Sequence, residues 1–194
     1  MAADSLQFIF LDALLMNNFV LALFLGICPF LGVSSQIKTA LPMGLATAFV
    51  MLISSLCAYG LNLLLSYLGL PFLRLISYIV VIACAVQLVE MFTRKTSPTL
   101  FRALGIYLPL ITTNCAILGL ALFQTARDYD FLQSLAYSLG AGLGFTLALI
   151  LMAGLRERLN LIKVPGISQG AALSLILAGI LSLSFMGFAG LGGQ

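Results

Sequence analysis

The sequence predicts an all-α membrane protein: six transmembrane helices arranged as two inverted three-helix repeats, with spans one and four broken near the midplane. Three observations carry that expectation. The 194 residues are 62% hydrophobic and only 8% charged, with a mean hydropathy of +1.17. A soluble domain carries about 25% charged residues, so this chain cannot cover a water-facing surface. The apolar residues fall into six long stretches. Two of those stretches carry a cysteine followed four residues later by glycine, Cys28 with Gly32 and Cys115 with Gly119, among residues that disturb a plain helix.

A membrane-spanning helix takes roughly 20 mostly apolar residues. The six stretches run from about Leu6 to Val33, Ala40 to Tyr67, Phe72 to Phe92, Leu104 to Phe123, Phe131 to Leu155 and Gly170 to Phe188. Only helices and closed barrels satisfy their backbone in a bilayer, and long apolar runs without strict alternation argue for helices. The length predicts a single integral membrane domain over residues 1–194, with approximate repeats 1–95 and 96–194. Three spans per half is an odd number, so homologous halves would be inverted relative to each other, an architecture that places sites on broken helices near the midplane. Gly26, Pro29 and Gly32 in the first span, and Pro109 and Gly119 in the fourth, fit that pattern. Glycine and proline are also ordinary in membrane helices.

Orientation follows from the basic residues. Lys38, Arg94, Lys95, Arg102, Arg156, Arg158 and Lys163 lie in loops on one side, and only Arg74 and Arg127 on the other. The seven-residue side is expected to be cytoplasmic, which puts both termini outside. These residues form no basic face, so the net charge of +3 does not predict a nucleic-acid partner. Asp4 and the lack of a basic stretch before the first span predict no cleaved signal peptide, and neither end carries a lipidation motif.

Depth is estimated by counting. Cys28 precedes Lys38 by ten residues, about 15 Å of continuous helix, or half of a hydrocarbon core of roughly 30 Å. Cys115 lies thirteen residues after Arg102 and twelve before Arg127. Both cysteines are thus expected near the middle. Asp12 is expected near the outer interface, with Asn17 and Asn18 inside the membrane, either satisfying broken backbone or lining a path.

The four cysteines all lie in apolar segments and none forms a C-x-x-C pair; histidine is absent. A disulfide framework fits poorly, and a zinc or haem site with histidine ligands is excluded within this chain. Cys57 and Cys84 read as small hydrophobes packed in apolar interior. At Cys28 and Cys115 the surroundings differ: Pro29 removes a backbone donor and distorts the helix, and Thr112, Thr113 and Asn114 bring polar side chains to a depth where they are costly unless used. Freed N–H and hydroxyl groups hydrogen-bond to sulfur in iron–sulfur sites. Such clusters take four thiolates, so two cysteines make half a site. Spacing alone does not choose between that, a disulfide and simple packing.

The other polar residues point to no catalysis. Glu90, four residues before Arg94, reads as a helical ion pair, and Glu157 as a solvated loop. There is no phosphate loop, nucleophile–base arrangement or dinucleotide fingerprint, so no catalytic residue is expected. Gly140-Ala141-Gly142-Leu143-Gly144 reads as a small-residue stripe for close helix packing, as do the glycines from Gly187 to Gly193. An autonomous small ion transporter built on inverted repeats is the alternative that broken helices alone leave open.

Particular stretches resemble a known family. They are Asn17-Asn18-Phe19-Val20-Leu21, Phe24-Leu25-Gly26-Ile27-Cys28-Pro29-Phe30, Met43-Gly44-Leu45-Ala46-Thr47, Arg94-Lys95-Thr96-Ser97-Pro98, Leu104 through Cys115, Arg156-Glu157-Arg158-Leu159 and Phe185-Met186-Gly187-Phe188. They are similar to the RnfA subunits of bacterial Rnf complexes, in the RnfA/NqrE family; NqrE differs at Asn17-Asn18 and is the more distant relative. The resemblance covers essentially the whole chain. It implies a subunit of a ferredoxin:NAD oxidoreductase in the bacterial cytoplasmic (inner) membrane, coupled to Na+ or H+ movement, with no complete active site in this chain. It implies as partners a homologous RnfE-like subunit of opposite topology and the B, C, D and G types of subunit. It also implies a [2Fe–2S] cluster held between the homologous pair, for which the matching ligands here are Cys28 and Cys115.

Overall fold

A computed structural model describes residues 5–96, 108–160 and 171–189. Among these residues the ordered elements are helical, with no strand. Helix α1 is Leu6–Leu11 and runs into a π-helical turn, Asp12–Met16; α2 is Ile27–Val33, α3 is Ile37–Leu68, and a 3-10 turn at Pro71–Leu73 leads into α4, Arg74–Thr96. Helices α5 and α6 are Leu108–Thr112 and Cys115–Ala126, α7 is Phe131–Asn160 and α8 is Ala171–Ala189. By length and composition three described helices are able to cross a membrane, Ile37–Leu68, Arg74–Met91 and Phe131–Leu159; Leu6–Met16, Leu110–Ala126 and Ala172–Gly187 are shorter apolar helices.

The first and fourth apolar stretches are broken, as expected, but not where proline stands. The chain leaves helix between Asn17 and Gly26, and again at Thr113 and Asn114. Pro29 is the third residue of α2 and Pro109 the second of α5. In a first helical turn the missing N–H has no partner to lose. Pro29 therefore begins a half-helix and does not cause the break before it, and Pro109 stands four residues before the break at Thr113. The depth count changes with them. The path from Cys28 is helical only to Val33, a rise of about 7.5 Å rather than about 15 Å. The twelve residues from Cys115 to Ala126 do form one helix, so the count from Cys115 to Arg127 holds.

The first break is held by its own polar residues. Asn18, 1% exposed, donates from Nδ2 to the carbonyls of Leu14 (3.1 Å) and Gly144 (2.8 Å), while its Oδ1 accepts from the N–H groups of Val20 (3.0 Å) and Leu21 (3.3 Å). Asn17 donates from Nδ2 to the Asp12 carboxylate at 2.7 Å, and from its backbone N–H to the Asp12 carbonyl, closing the π-helical turn. Ser182 of α8 donates to the freed Leu21 carbonyl at 2.6 Å. Asn18 thus serves the broken backbone, whereas the Asn17 side chain is tied to the Asp12 carboxylate.

The long helices α3 and α7 pack together as the central pair. Their approach is set by the glycine stripe on α7. A Cβ on Gly142 would stand 2.8 Å from the Ala48 Cβ of α3, and one on Gly44 of α3 would stand 2.7 Å from Thr146 Cγ2. On another side of α7, a Cβ on Gly140 would meet the Phe10 carbonyl oxygen at 2.5 Å, and one on Gly144 the Leu14 carbonyl oxygen at 2.8 Å. One stripe therefore seats two neighbours, α3 and the broken first stretch. Gly187 differs: nothing lies within 4 Å of its Cβ position, so the expectation of close packing there does not hold. Gly190, Gly192 and Gly193 lie outside the described residues.

Buried polar contacts tie α3, α4 and α6 together. Ser55 donates to Gln124 Oε1 at 2.6 Å, and Gln124 Nε2 donates back to the Ser55 carbonyl at 3.1 Å. The Thr125 hydroxyl donates to the Ala121 carbonyl, so Tyr78, 2.8 Å away, is the donor to Thr125. Outward faces carry large exposed apolar residues such as Ile76 and Leu88 on α4 and Ile176 and Leu183 on α8, the surface a lipid-facing helix requires.

Candidate functional site

The two cysteines singled out by sequence stand at the starts of two half-helices, and the chain joins those starts directly. Gly26 ends the first break in the left-handed conformation, φ +76°, which glycine adopts without steric cost. A Cβ there would also stand 2.6 Å from the Phe145 ring and 3.2 Å from Asn114 Oδ1. Held this way, the Gly26 N–H donates to Cys115 Sγ at 3.0 Å across 89 residues of sequence. Cys28 follows two residues later, in the first turn of α2.

Cys115 opens α6, and Asn114 is its N-cap, with Oδ1 accepting from the Ala116 N–H at 3.0 Å. That bond fixes which end of the carboxamide faces the helix. The Nδ2 is buried and has no hydrogen-bond partner. Behind the site Leu25 fills the space over Gly119, its Cδ1 2.6 Å from where a Cβ would stand, and Phe19 packs edge-on against Phe123. At its far end α2 is closed by Arg156 of α7, which donates to the Leu31 carbonyl (2.9 Å) and the Ser34 hydroxyl (3.0 Å). A guanidinium suits the carbonyl end of a helix.

Cys28 and Cys115 are both free and exposed. Gly32, one turn after Cys28, is also exposed with nothing within 4 Å of its Cβ position, whereas Gly119 is buried. The two Cys-x-x-x-Gly motifs thus differ in surroundings: one is filled from within the chain and the other opens outward. Among the described residues no group of three or more Cys, Asp or Glu side chains converges to hold a metal. What the site offers is two outward thiols, a backbone donor already on one sulfur, and a buried carboxamide donor unspent. That set suits a sulfur-rich group, and supplies half the ligands of one that takes four thiolates.

The other cysteines correct one expectation. Cys57 is half-buried but Cys84 is exposed, because it sits on the outward side of α4, where apolar residues meet lipid instead of the protein core. The expected Glu90–Arg94 pair involves the Arg94 side chain, which lies outside the described residues, as do Arg102 and Lys163. Sequence reasoning missed two participants. Arg156 read only as one more loop cation, and Gly26 only as a helix breaker. Nothing local signals that either reaches a partner so distant in sequence.

The broken apolar helices and the outward-facing thiols define an integral membrane protein whose site is open to a neighbour. Comparison with known families identifies it further: residues 6–192 match the model described as Rnf-Nqr subunit, membrane protein, and the chain belongs to that family. It is 55% identical over 188 residues to the A-type subunit of the ion-translocating oxidoreductase complex of Syntrophotalea carbinolica, covering 96% of this chain and 97% of that protein. To the proteins of the same description from Vibrio cholerae and Edwardsiella ictaluri it is 53% and 54% identical, covering 93% and 91% of this chain and 94% and 92% of theirs.

Proposed function

We propose that this chain is a membrane subunit of an ion-translocating oxidoreductase complex of the ferredoxin:NAD type, and that Cys28 and Cys115 supply two of the four thiolates of a [2Fe–2S] cluster shared with a homologous subunit of opposite orientation. The observation that carries this reading is the junction of the two half-helix starts through the Gly26 N–H and Cys115 Sγ, with both thiols facing outward. The near-complete match to the A-type relatives supports the complex. When bound, such a cluster accepts and releases one electron. The chain's own residues hold the two sulfurs: Gly26 and Asn114 set the Cys115 end, while Arg156 and the first-turn Pro29 hold α2 behind Cys28. Electron flow is coupled to Na+ or H+ movement in the assembled complex, together with the B, C, D and G types of subunit.

The same reading includes six spans in two inverted repeats, in a bacterial inner membrane with both termini outside. Two contacts between distant segments support it. Asp12 meets Arg127 at one end of the molecule, and Arg156 meets Leu31 and Ser34 at the other. Each end therefore gathers segments that the basic-residue count assigns to one side.

The test is to co-express the chain with its homologous partner, purify the pair anaerobically and measure iron, visible absorbance and electron paramagnetic resonance. One [2Fe–2S] signal per pair is expected, lost in Cys28→Ser and in Cys115→Ser. An iron-free intact pair, or full retention of the cluster in either variant, would sink the proposal.

A further inference from the structure

Among the described residues, Asn114 Nδ2 is one of few buried side-chain donors or acceptors without a partner, and it lies beside the junction just described. The residue is 5% exposed. Leaving such a donor unpaired costs about 1–3 kcal/mol, and a bilayer interior offers no water to relieve it. The capping role does not require it. Oδ1 alone caps α6, and aspartate would do that equally well without a surplus donor. The carboxamide also rests against Gly26, with Oδ1 3.2 Å from where a Cβ there would stand, and the Gly26 N–H is on Cys115 Sγ. One sulfur ligand thus has a donor on it and a second, unspent donor on the adjacent residue.

We propose that Asn114 Nδ2 donates a hydrogen bond to sulfur of the group held by Cys28 and Cys115, and thereby raises its reduction potential. This rests on the shared-cluster reading above. A donor to sulfur favours the form with more negative charge, which is the reduced one, and hydrogen bonds to sulfur are among the determinants of cluster potential. Asparagine is suited to the position because it caps with one end of the carboxamide and donates with the other.

The experiment is a redox titration of the anaerobically purified pair, followed by electron paramagnetic resonance, for the unaltered chain, Asn114→Ser and Asn114→Asp. Serine keeps the cap and loses the carboxamide donor, its own hydroxyl being the capping atom; aspartate keeps the cap and shape, loses the donor and adds charge. Iron per pair is expected to be equal in all three. Asn114→Ser is expected to lower electron affinity about tenfold, about 59 mV for a one-electron couple, and Asn114→Asp to lower it further. A potential unchanged in Asn114→Ser with full iron would overturn the inference and leave Asn114 a helix cap. Loss of iron in Asn114→Ser would overturn it too, showing a residue needed to build the site and not to tune it. An iron-free pair with the unaltered chain would instead refute the shared cluster, and this inference with it.

Discussion

One carboxamide, that of Asn18, donates to the Leu14 and Gly144 carbonyls and accepts from the N–H groups of Val20 and Leu21, which lie in the first break. Each buried group left unpaired costs about 1–3 kcal/mol, and not all of that is recovered by relaxation. Asn18→Ala is therefore expected to destabilise the protein by about 2–4 kcal/mol, read as a lower unfolding temperature in detergent. Asn18→Asp, which keeps the two acceptor bonds, should retain more stability than alanine only if its carboxyl is protonated. Asn17→Ala should cost less than Asn18→Ala, since the Asn17 side chain makes one bond, to Asp12. The sequence showed that two asparagines at membrane depth need a use, but not which use. Four bonds to residues as distant as Gly144 leave no local periodicity to read. The same holds for Arg156, whose hydrogen bond to Leu31 crosses 125 positions.

At the scale of elements, length and apolar content were legible because a bilayer imposes both. The expected second, third and fifth spans appear as α3, α4 and α7, within a few residues of the boundaries read from composition. The position of the breaks was less legible. Proline marks where a helix loses a donor, but a first turn tolerates that loss, so Pro29 pointed a few residues away from the irregular backbone. The glycine stripe was legible as close packing, though not as two interfaces at once. It yields a contrast in sign. Gly140→Ala forces a methyl toward the Phe10 carbonyl and should destabilise by about 1–3 kcal/mol. Gly154→Ala, in the same helix with nothing within 4 Å of its Cβ position, should be neutral or stabilise by up to about 1 kcal/mol through helix propensity. Thermal unfolding of the two purified variants checks both signs. Equal destabilisation would mean that the stripe acts through backbone entropy and not through contact.

The whole molecule has two polar ends and an open side. At one end Arg127 stacks over Tyr129 and Tyr137 and pairs with Asp12 at 3.4 Å; at the other Arg156 closes α2. If the Arg127 end is outside, Asp130→Cys in a chain whose native cysteines are serine should react with a membrane-impermeant maleimide in intact cells, and Glu157→Cys only after lysis. The reverse pattern would invert the proposed topology. The open side is the exposed face of α2, where Cys28 and Gly32 stand one turn apart with space over Gly32. A partner that completes a four-thiolate site must come close to Cys28, and a hydrogen-only side chain one turn away admits a neighbouring helix at short range. Gly32→Leu should therefore leave the unfolding temperature of the isolated chain within about 2 °C, since it enters empty space and shifts stability by no more than about 0.5 kcal/mol. The same substitution should reduce recovery of the homologous pair by tenfold or more in co-purification, with iron lost in proportion. If Gly32→Leu instead pairs normally and keeps its iron, the partner does not approach over this face, and the missing ligands must reach Cys28 from another side of α2.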